Sequence, residues 1–264
     1  MNRTTTMKSI MKIAASALLA LALVPANASA FRVYSPNVTP DETAIGFWGE
    51  ATGEGGTGAG KKPESKRAQI ELRHTFYDRL DLGAAAVAES GASGNGGEDI
   101  GYSRFKLRAV MQVTEKKAHF VDFGVYMDYQ LMNSAIRSTI PDYLNIFLLF
   151  EKDFDAWHMT VNPGIRKNMS IVAGTQDNVA EYQAEAKYHL DPLFNPGVQA
   201  YGINLGEWTK FSAAGDQLHY AGPAFDGSLP EVGGFTVHYE GALLFGLSPA
   251  SYNVLANGVL EIRF

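Results

Sequence analysis

From Thr43 to the C-terminal Phe264, apolar and polar residues alternate with a period of two, and this constrains the chain more than any other feature. In the segment 182–190, Tyr182, Ala184, Ala186, Tyr188 and Leu190 interleave with Gln183, Glu185, Lys187 and His189. An extended chain points successive side chains to opposite sides, so this segment is a strand with one apolar and one fully polar face. The segment 103–113 likewise sets Phe105, Leu107, Ala109, Met111 and Val113 against Arg104, Lys106 and Arg108. In 121–131, Phe123, Val125, Met127, Tyr129 and Leu131 oppose Asp122, Tyr126, Asp128 and Gln130. No stripe of helical period persists, and no apolar run after residue 31 reaches the length of a membrane-spanning helix.

A charged face of this kind cannot line an ordinary protein core. Similar segments fall at 43–52, 67–76, 80–89, 100–113, 118–131, 143–153, 156–166, 180–190, 196–206, 216–225, 235–247 and 252–264. They are even in number and roughly ten residues long, the length of a tilted membrane-crossing strand. Their connections alternate. Tyr77-Asp78-Arg79, Thr114 to Lys117, the neighbourhood of Phe154-Asp155 and Asp191 to Asn195 are short. Gly53 to Lys66, Ser90 to Asp99, Met132 to Asp142, Lys167 to Val179 and Glu207 to Gly215 are long and polar. Asp226 to Gly234 and Ser248 to Ser251 fit that rhythm less well. The expected fold is all-β: an antiparallel up-and-down transmembrane β-barrel of about 12 strands, with short periplasmic turns and long outer loops. Aromatic residues gather at the short-turn ends (Phe76, Tyr77, Phe150, Phe154, Trp157, Tyr188, Phe194, Phe235 and Phe264), as an interfacial girdle requires. A periplasmic β-sandwich is the soluble alternative, since its strands alternate too.

The first thirty residues read as a secretory signal peptide: Arg3, Lys8 and Lys12, then the apolar run 13–24, then Ala28-Ser29-Ala30 as the cleavage site. The barrel is expected over 31–264. There is no cysteine, which excludes a lipid anchor, a thiolate metal site, a thiol nucleophile and a disulfide scaffold. The whole chain carries 22 basic and 28 acidic residues, and removing the leader's three basic residues leaves a net charge near −9. Such a balance argues against nucleic acid as a partner.

The last strand places Leu260, Ile262 and Phe264 on one face and ends on the aromatic itself. This resembles the C-terminal β-signal of Gram-negative outer-membrane β-barrel proteins. Segments such as Phe31-Arg32-Val33-Tyr34-Ser35-Pro36 and Leu244-Phe245-Gly246-Leu247 are similar to those of proteobacterial outer-membrane barrels of the transporter and porin-like kind. The resemblance implies residence in the cell outer membrane, with membrane lipid around the barrel. It also implies recognition of Leu260, Ile262 and Phe264 by the barrel assembly machinery.

If the apolar faces meet lipid, the polar faces meet one another across a narrow lumen, where charges must be paired or hydrated. Folding strands four and five about Glu115-Lys116-Lys117 puts Arg104 opposite or diagonal to Asp128, and Arg108 near Asp122. The expected lumen and selectivity residues are Arg104, Lys106, Arg108, Asp122, Asp128, Glu185, Lys187 and Glu240. Glu50, Glu71, Arg73, Glu151, Arg166, His238, Glu261 and Arg263 fall on the same face. Acids and bases are mixed, so no anion or cation preference follows.

Parity sends His158, His189 and His238 inward near the periplasmic rim, and His219 inward higher up. They lie on different strands without a His-x-x-x-His spacing, so no metal ligands and no cofactor are assigned. No Gly-x-Ser-x-Gly elbow occurs, and the glycine-rich runs 53–60 and 91–97 lack a phosphate-loop ending. The expected function is therefore not enzymatic: a narrow, porin-like channel or transport-associated barrel for small polar or charged solutes. One alternative is a structural or interaction barrel with a closed lumen and partner-binding loops. The other is a lipid-modifying enzyme, which would need Ser, His and an acid converging at the outer rim or lipid face, with His219, Ser212 and Ser228 as nearby candidates.

Overall fold

Twelve strands form, and on most of them the two faces differ in polarity. They are β1 (Thr43–Thr52), β2 (Ser65–Phe76), β3 (Leu80–Ser90), β4 (Ile100–Gln112), β5 (Asp122–Met132) and β6 (Tyr143–Phe154), followed by β7 (Trp157–Asn168), β8 (Asn178–Tyr188), β9 (Asn195–Asn204), β10 (Gln217–Ser228), β11 (Thr236–Gly246) and β12 (Val254–Arg263). The computed structural model describes residues 32–53, 64–90, 100–115, 117–134, 136, 140–170, 178–204, 217–231 and 233–264. The expected leader, most of both glycine-rich runs and Ser212 lie outside the described residues.

Every strand pairs antiparallel with its neighbours in sequence, and β1 pairs with β12, so the sheet closes into a barrel with no free edge. Closure matters in a bilayer, because lipid offers no partner for an unpaired backbone group. Strands of 10 to 13 residues span roughly 33–43 Å along their axes at about 3.3 Å per residue. Tilted, they cross the hydrocarbon layer.

The side-chain distribution is inverted relative to a soluble protein. On β2, Leu72 is 57% exposed while its neighbour Glu71 is 2% exposed. Phe105, Leu107, Met127, Leu148, Val161, Val198 and Phe245 form part of the exposed apolar belt, whereas Asp81, Arg104, Lys106, Arg108 and Asp128 are buried inside. A belt of that composition faces lipid, and the fold is that of an outer-membrane β-barrel. A sandwich is excluded, because the sheet is single and closed. At the short-turn end the aromatic pairs Phe123–Phe150, Trp157–Tyr188 and Phe194–Phe225 lie 5.1, 5.4 and 5.9 Å apart between ring centres.

The turns follow from local chemistry. Tyr77 and Asp78 both take positive φ in the three-residue connection from β2 to β3, and Asp155 does so in the two-residue connection from β6 to β7. The connection from β4 to β5 departs from expectation. It runs over 113–121 instead of four residues. Thr114 closes it, its hydroxyl accepting from the Phe123 amide at 2.7 Å, while Asp122 accepts from the Lys117 amide at 2.8 Å. These bonds withdraw residues 118–121 from the strand and shift the register. Arg108 therefore stands opposite Asp128, and Arg104 opposite Met132, in place of the expected Arg104–Asp128 and Arg108–Asp122 neighbours.

Candidate functional site: the strapped lumen

The lumen is crossed by the stretch preceding β1. Since Thr43 starts β1 at the short-turn end, residues 42 back to 32 run inward from that end, and several of them anchor to different parts of the wall. Asn37 donates its side-chain amide to Asp122 at 3.1 Å and Glu151 at 2.7 Å, and the Val38 amide donates to Gln112 at 3.1 Å. Pro36 lies over Gly124, where a Cβ would come within 2.8 Å of the proline Cβ; only glycine leaves room for the strap there. Tyr34 stacks on Tyr126 at 4.0 Å, and its carbonyl accepts from Asn162 at 3.0 Å. Arg32 reaches Glu240 at 3.0 Å and Glu261 at 3.2 Å, with its guanidinium 4.9 Å from the Trp48 ring centre.

Around this strap the charges form a connected network. Arg73 bridges Asp81 at 2.6 Å, Glu42 at 2.5 Å and Glu261 at 2.5 Å. Arg108 pairs with Asp81 and with Glu71 at 3.1 Å, and Lys106 sits 3.8 Å from Glu71. Glu89 takes both Arg67 and Arg104 at 2.9 Å. Asp128 accepts from Gln130 and Asn145. On the opposite wall Lys187 bridges Glu185 at 2.6 Å and Asp226 at 2.7 Å. A buried charge is tolerated only when paired and hydrogen-bonded, and this network meets that demand largely across strands.

All eight expected lumen residues thus lie inside, but their partners differ from those expected. The bases of β4 look back toward β2 and β3, to Glu71, Asp81 and Glu89, and not forward to β5. Leu260 and Ile262 take the positions of β12 that alternate with the inward Glu261, Leu260 covered in register between Phe47 and Tyr239, and Phe264 follows the strand and is exposed. His158 and His238 line the lumen at the short-turn end, and His189 lies in the turn after β8 beside the same space. His219 corrects the expectation. Its neighbour Tyr220 takes the buried inner position, so His219 faces outward, 3.1 Å from the Tyr182 hydroxyl over Gly202.

Ser228, His238 and Glu240 do form a chain at 3.0 and 3.2 Å, but inside the lumen at the short-turn end, and Glu240 already serves Arg32. That is not the outer-rim or lipid-face constellation a lipid-modifying enzyme needs, and none occurs among the described residues.

The sequence reading missed two features. One is the strap itself, whose signal was an arginine and a tyrosine beside a proline just ahead of the first strand. The other is an apolar inner patch on β8–β12, where Val179, Tyr201, Ile203, Tyr220, Leu244 and Leu255 cluster together with Val33 of the strap.

The strap divides the space inside. Toward the short-turn end lies a vestibule of about 540 Å³, bordered by Arg73, Asp81, Glu151, His158, Lys187 and Glu240. On the strap's other side, among Arg104, Lys106, Asp128, Asn145, Arg166 and Glu181, lies a cavity of about 40 Å³. That is room for a few waters.

Comparison with solved structures agrees with this architecture. The COG4313 outer membrane channel from Pseudomonas putida F1 superposes with a TM-score of 0.58 at 12% identity, covering 90% of this chain and 99% of that one. The translocator domain of the autotransporter NalP from Neisseria meningitidis gives 0.49 at 8% identity, covering 86% and 89%. The transport unit of the autotransporter AIDA-I from Escherichia coli gives 0.47 at 10% identity, covering 95% and 97%. At 12% identity the likeness to the COG4313 channel is one of fold. No protein-family model and no curated protein matches the chain.

Proposed function

We propose that the protein is a narrow outer-membrane channel for small polar or charged solutes, occluded at rest by its N-terminal strap. The observation that carries this reading is the strap. What separates the vestibule from the far side of the lumen is a segment held by side-chain contacts, not a strand of the wall. Such a segment can shift without unfolding the barrel. The similarity to a barrel described as an outer membrane channel supports the same reading. In this account Arg104, Lys106 and Arg108, with Asp122, Asp128, Glu185, Lys187 and Glu240, set which ions pass. Residues 1–30 are removed as a signal peptide, the short turns face the periplasm, and the barrel assembly machinery reads Leu260, Ile262 and Phe264.

The test is single-channel conductance of the refolded mature chain in planar bilayers, beside a variant carrying Arg104→Gln, Lys106→Gln and Arg108→Gln. Removing three cations takes Arg108 and Lys106 from Glu71 and leaves Asp81 and Glu89 with one cation each, Arg73 and Arg67, so ion preference should move toward cations. A second reading, a closed structural or interaction barrel, is favoured by the pairing of the lumen charges and by the small size, about 40 Å³, of the cavity among Arg104, Asp128 and Arg166. A folded, inserted chain that stays electrically silent even when Gly124→Ala displaces the strap would select it.

A further inference from the structure

At the vestibule's rim three potential metal ligands converge from two connections. Asp153 ends β6, His158 begins β7, and His189 follows β8, its amide donating to the Ala156 carbonyl at 2.7 Å. Register holds the first two: Asp153 and His158 are directly paired across the β6–β7 hairpin. One ligand atom from each of the three lies within 4.8 Å of the others. Asp153 Oδ1 is the common point, 2.9 Å from His158 Nδ1 and 3.8 Å from His189 Nε2. The other carboxylate oxygen faces Lys117 at 3.3 Å, so that lysine, largely exposed, does not occupy the space between the imidazoles.

We infer that Asp153, His158 and His189 form a site for a divalent transition metal of the zinc or cobalt kind, with a fourth position open to water or solute from the vestibule. Two imidazoles and one carboxylate suit zinc and its borderline neighbours, whereas calcium and magnesium prefer all-oxygen sets. The surroundings supply what a metal-bound histidine needs beyond its own ligand atom. With Nδ1 on the metal, His158 must carry its proton on Nε2, and that nitrogen already faces Thr160 Oγ1 at 3.1 Å and Glu151 Oε2 at 3.5 Å. A carboxylate behind the distal nitrogen fixes the tautomer and raises the basicity of the ring. Glu151 also accepts from Asn37, so the same carboxylate that orients His158 holds the strap. Sequence spacing could not reveal the set, because its members come from three strand ends and one of them is an aspartate in a solvated rim.

The test uses the mature chain, refolded without a polyhistidine tag, titrated with Co²⁺ and followed by visible absorption, and with Zn²⁺ by calorimetry. The expected result is saturable one-to-one binding, with cobalt bands of low coordination number and no competition from Ca²⁺ or Mg²⁺. Asp153→Asn and His189→Gln should each weaken binding at least about tenfold, and His219→Gln, on the outer face, should not. Folding of every variant is checked by heat-modifiable electrophoretic mobility. Absence of saturable binding to the folded wild-type chain would overturn the inference. So would binding that His189→Gln leaves intact or His219→Gln abolishes.

Discussion

The two walls of the lumen are built on different physics. Along β2–β7 the inner face is mostly charged or amide-bearing: Arg108 pairs with Glu71 and Asp81, Asp128 accepts from Gln130 and Asn145, and Asn162 donates to the Tyr34 carbonyl, with Val110, Tyr126, Phe147 and Leu149 packed around Tyr34. Along β8–β12, toward the long loops, Tyr201, Ile203, Tyr220, Leu244 and Leu255 pack as the core of a soluble protein would. The strap joins them: Val33 packs into the apolar cluster, while Tyr34 stacks against Tyr126 on the charged side. Lumen polarity in a small barrel is thus assigned wall by wall, and on β8–β12 the fixed charges, Glu185, Lys187, Asp226 and Glu240, border the short-turn vestibule instead of the apolar patch.

The comparison breaks most sharply at Arg108. Replacing it with leucine leaves Glu71 and Asp81 buried beside each other with one cation fewer, a loss of about 3–5 kcal/mol. Denaturant unfolding of the refolded barrel would measure it. If the cost is electrostatic, Glu71→Leu and Asp81→Leu added to Arg108→Leu should recover much of the loss; if it is packing, they should deepen it. On the other wall, Leu244→Ala should cost about 2–4 kcal/mol through the cavity it leaves, with little dependence on salt.

The same contrast explains what the sequence made legible. On β4, β5 and β8 the two faces differ in kind, so parity alone sent Arg104, Asp128 and Glu185 inward. On β10, Leu218 and Tyr220 are as apolar as Ala221 and Phe225, so the strand was visible but its facing was not, and His219 was turned the wrong way. The charge partners were misassigned for another reason: Thr114 and Asp122 use side-chain bonds to lengthen a connection, and alternation carries no signal for that. The strap was invisible to periodicity because it is not periodic, and at the rim parity brought in His158 and His189 but gave no sign of Asp153 beside them.

Gly124→Ala sharpens the role of the strap. The new methyl would meet Pro36 and the Met111 carbonyl, at 2.8 and 2.9 Å, and since the wall is hydrogen-bonded the strap is what gives way. The expected cost is about 1–3 kcal/mol, with single-channel conductance rising as the strap is displaced. An unchanged conductance at that loss of stability would mean that the strap does not limit the path.

The smallest effect belongs outside both walls. Arg79 and Glu115 pair at 2.8 Å between adjacent turns, yet their side chains are 51% and 73% exposed. Water already solvates both ions, and holding two long side chains in one geometry offsets much of the attraction. Arg79→Ala should therefore change stability by about 0–1 kcal/mol, and the change should vanish at high salt. Arg73 provides the internal control: it is one turn of chain away but inside the lumen, paired with Asp81, Glu42 and Glu261. Its replacement by alanine should retain most of its cost at the salt concentration that erases the Arg79 effect. Equal salt sensitivity at the two positions would mean that water reaches the lumen network freely, and that the charged wall resembles the surface more than the core.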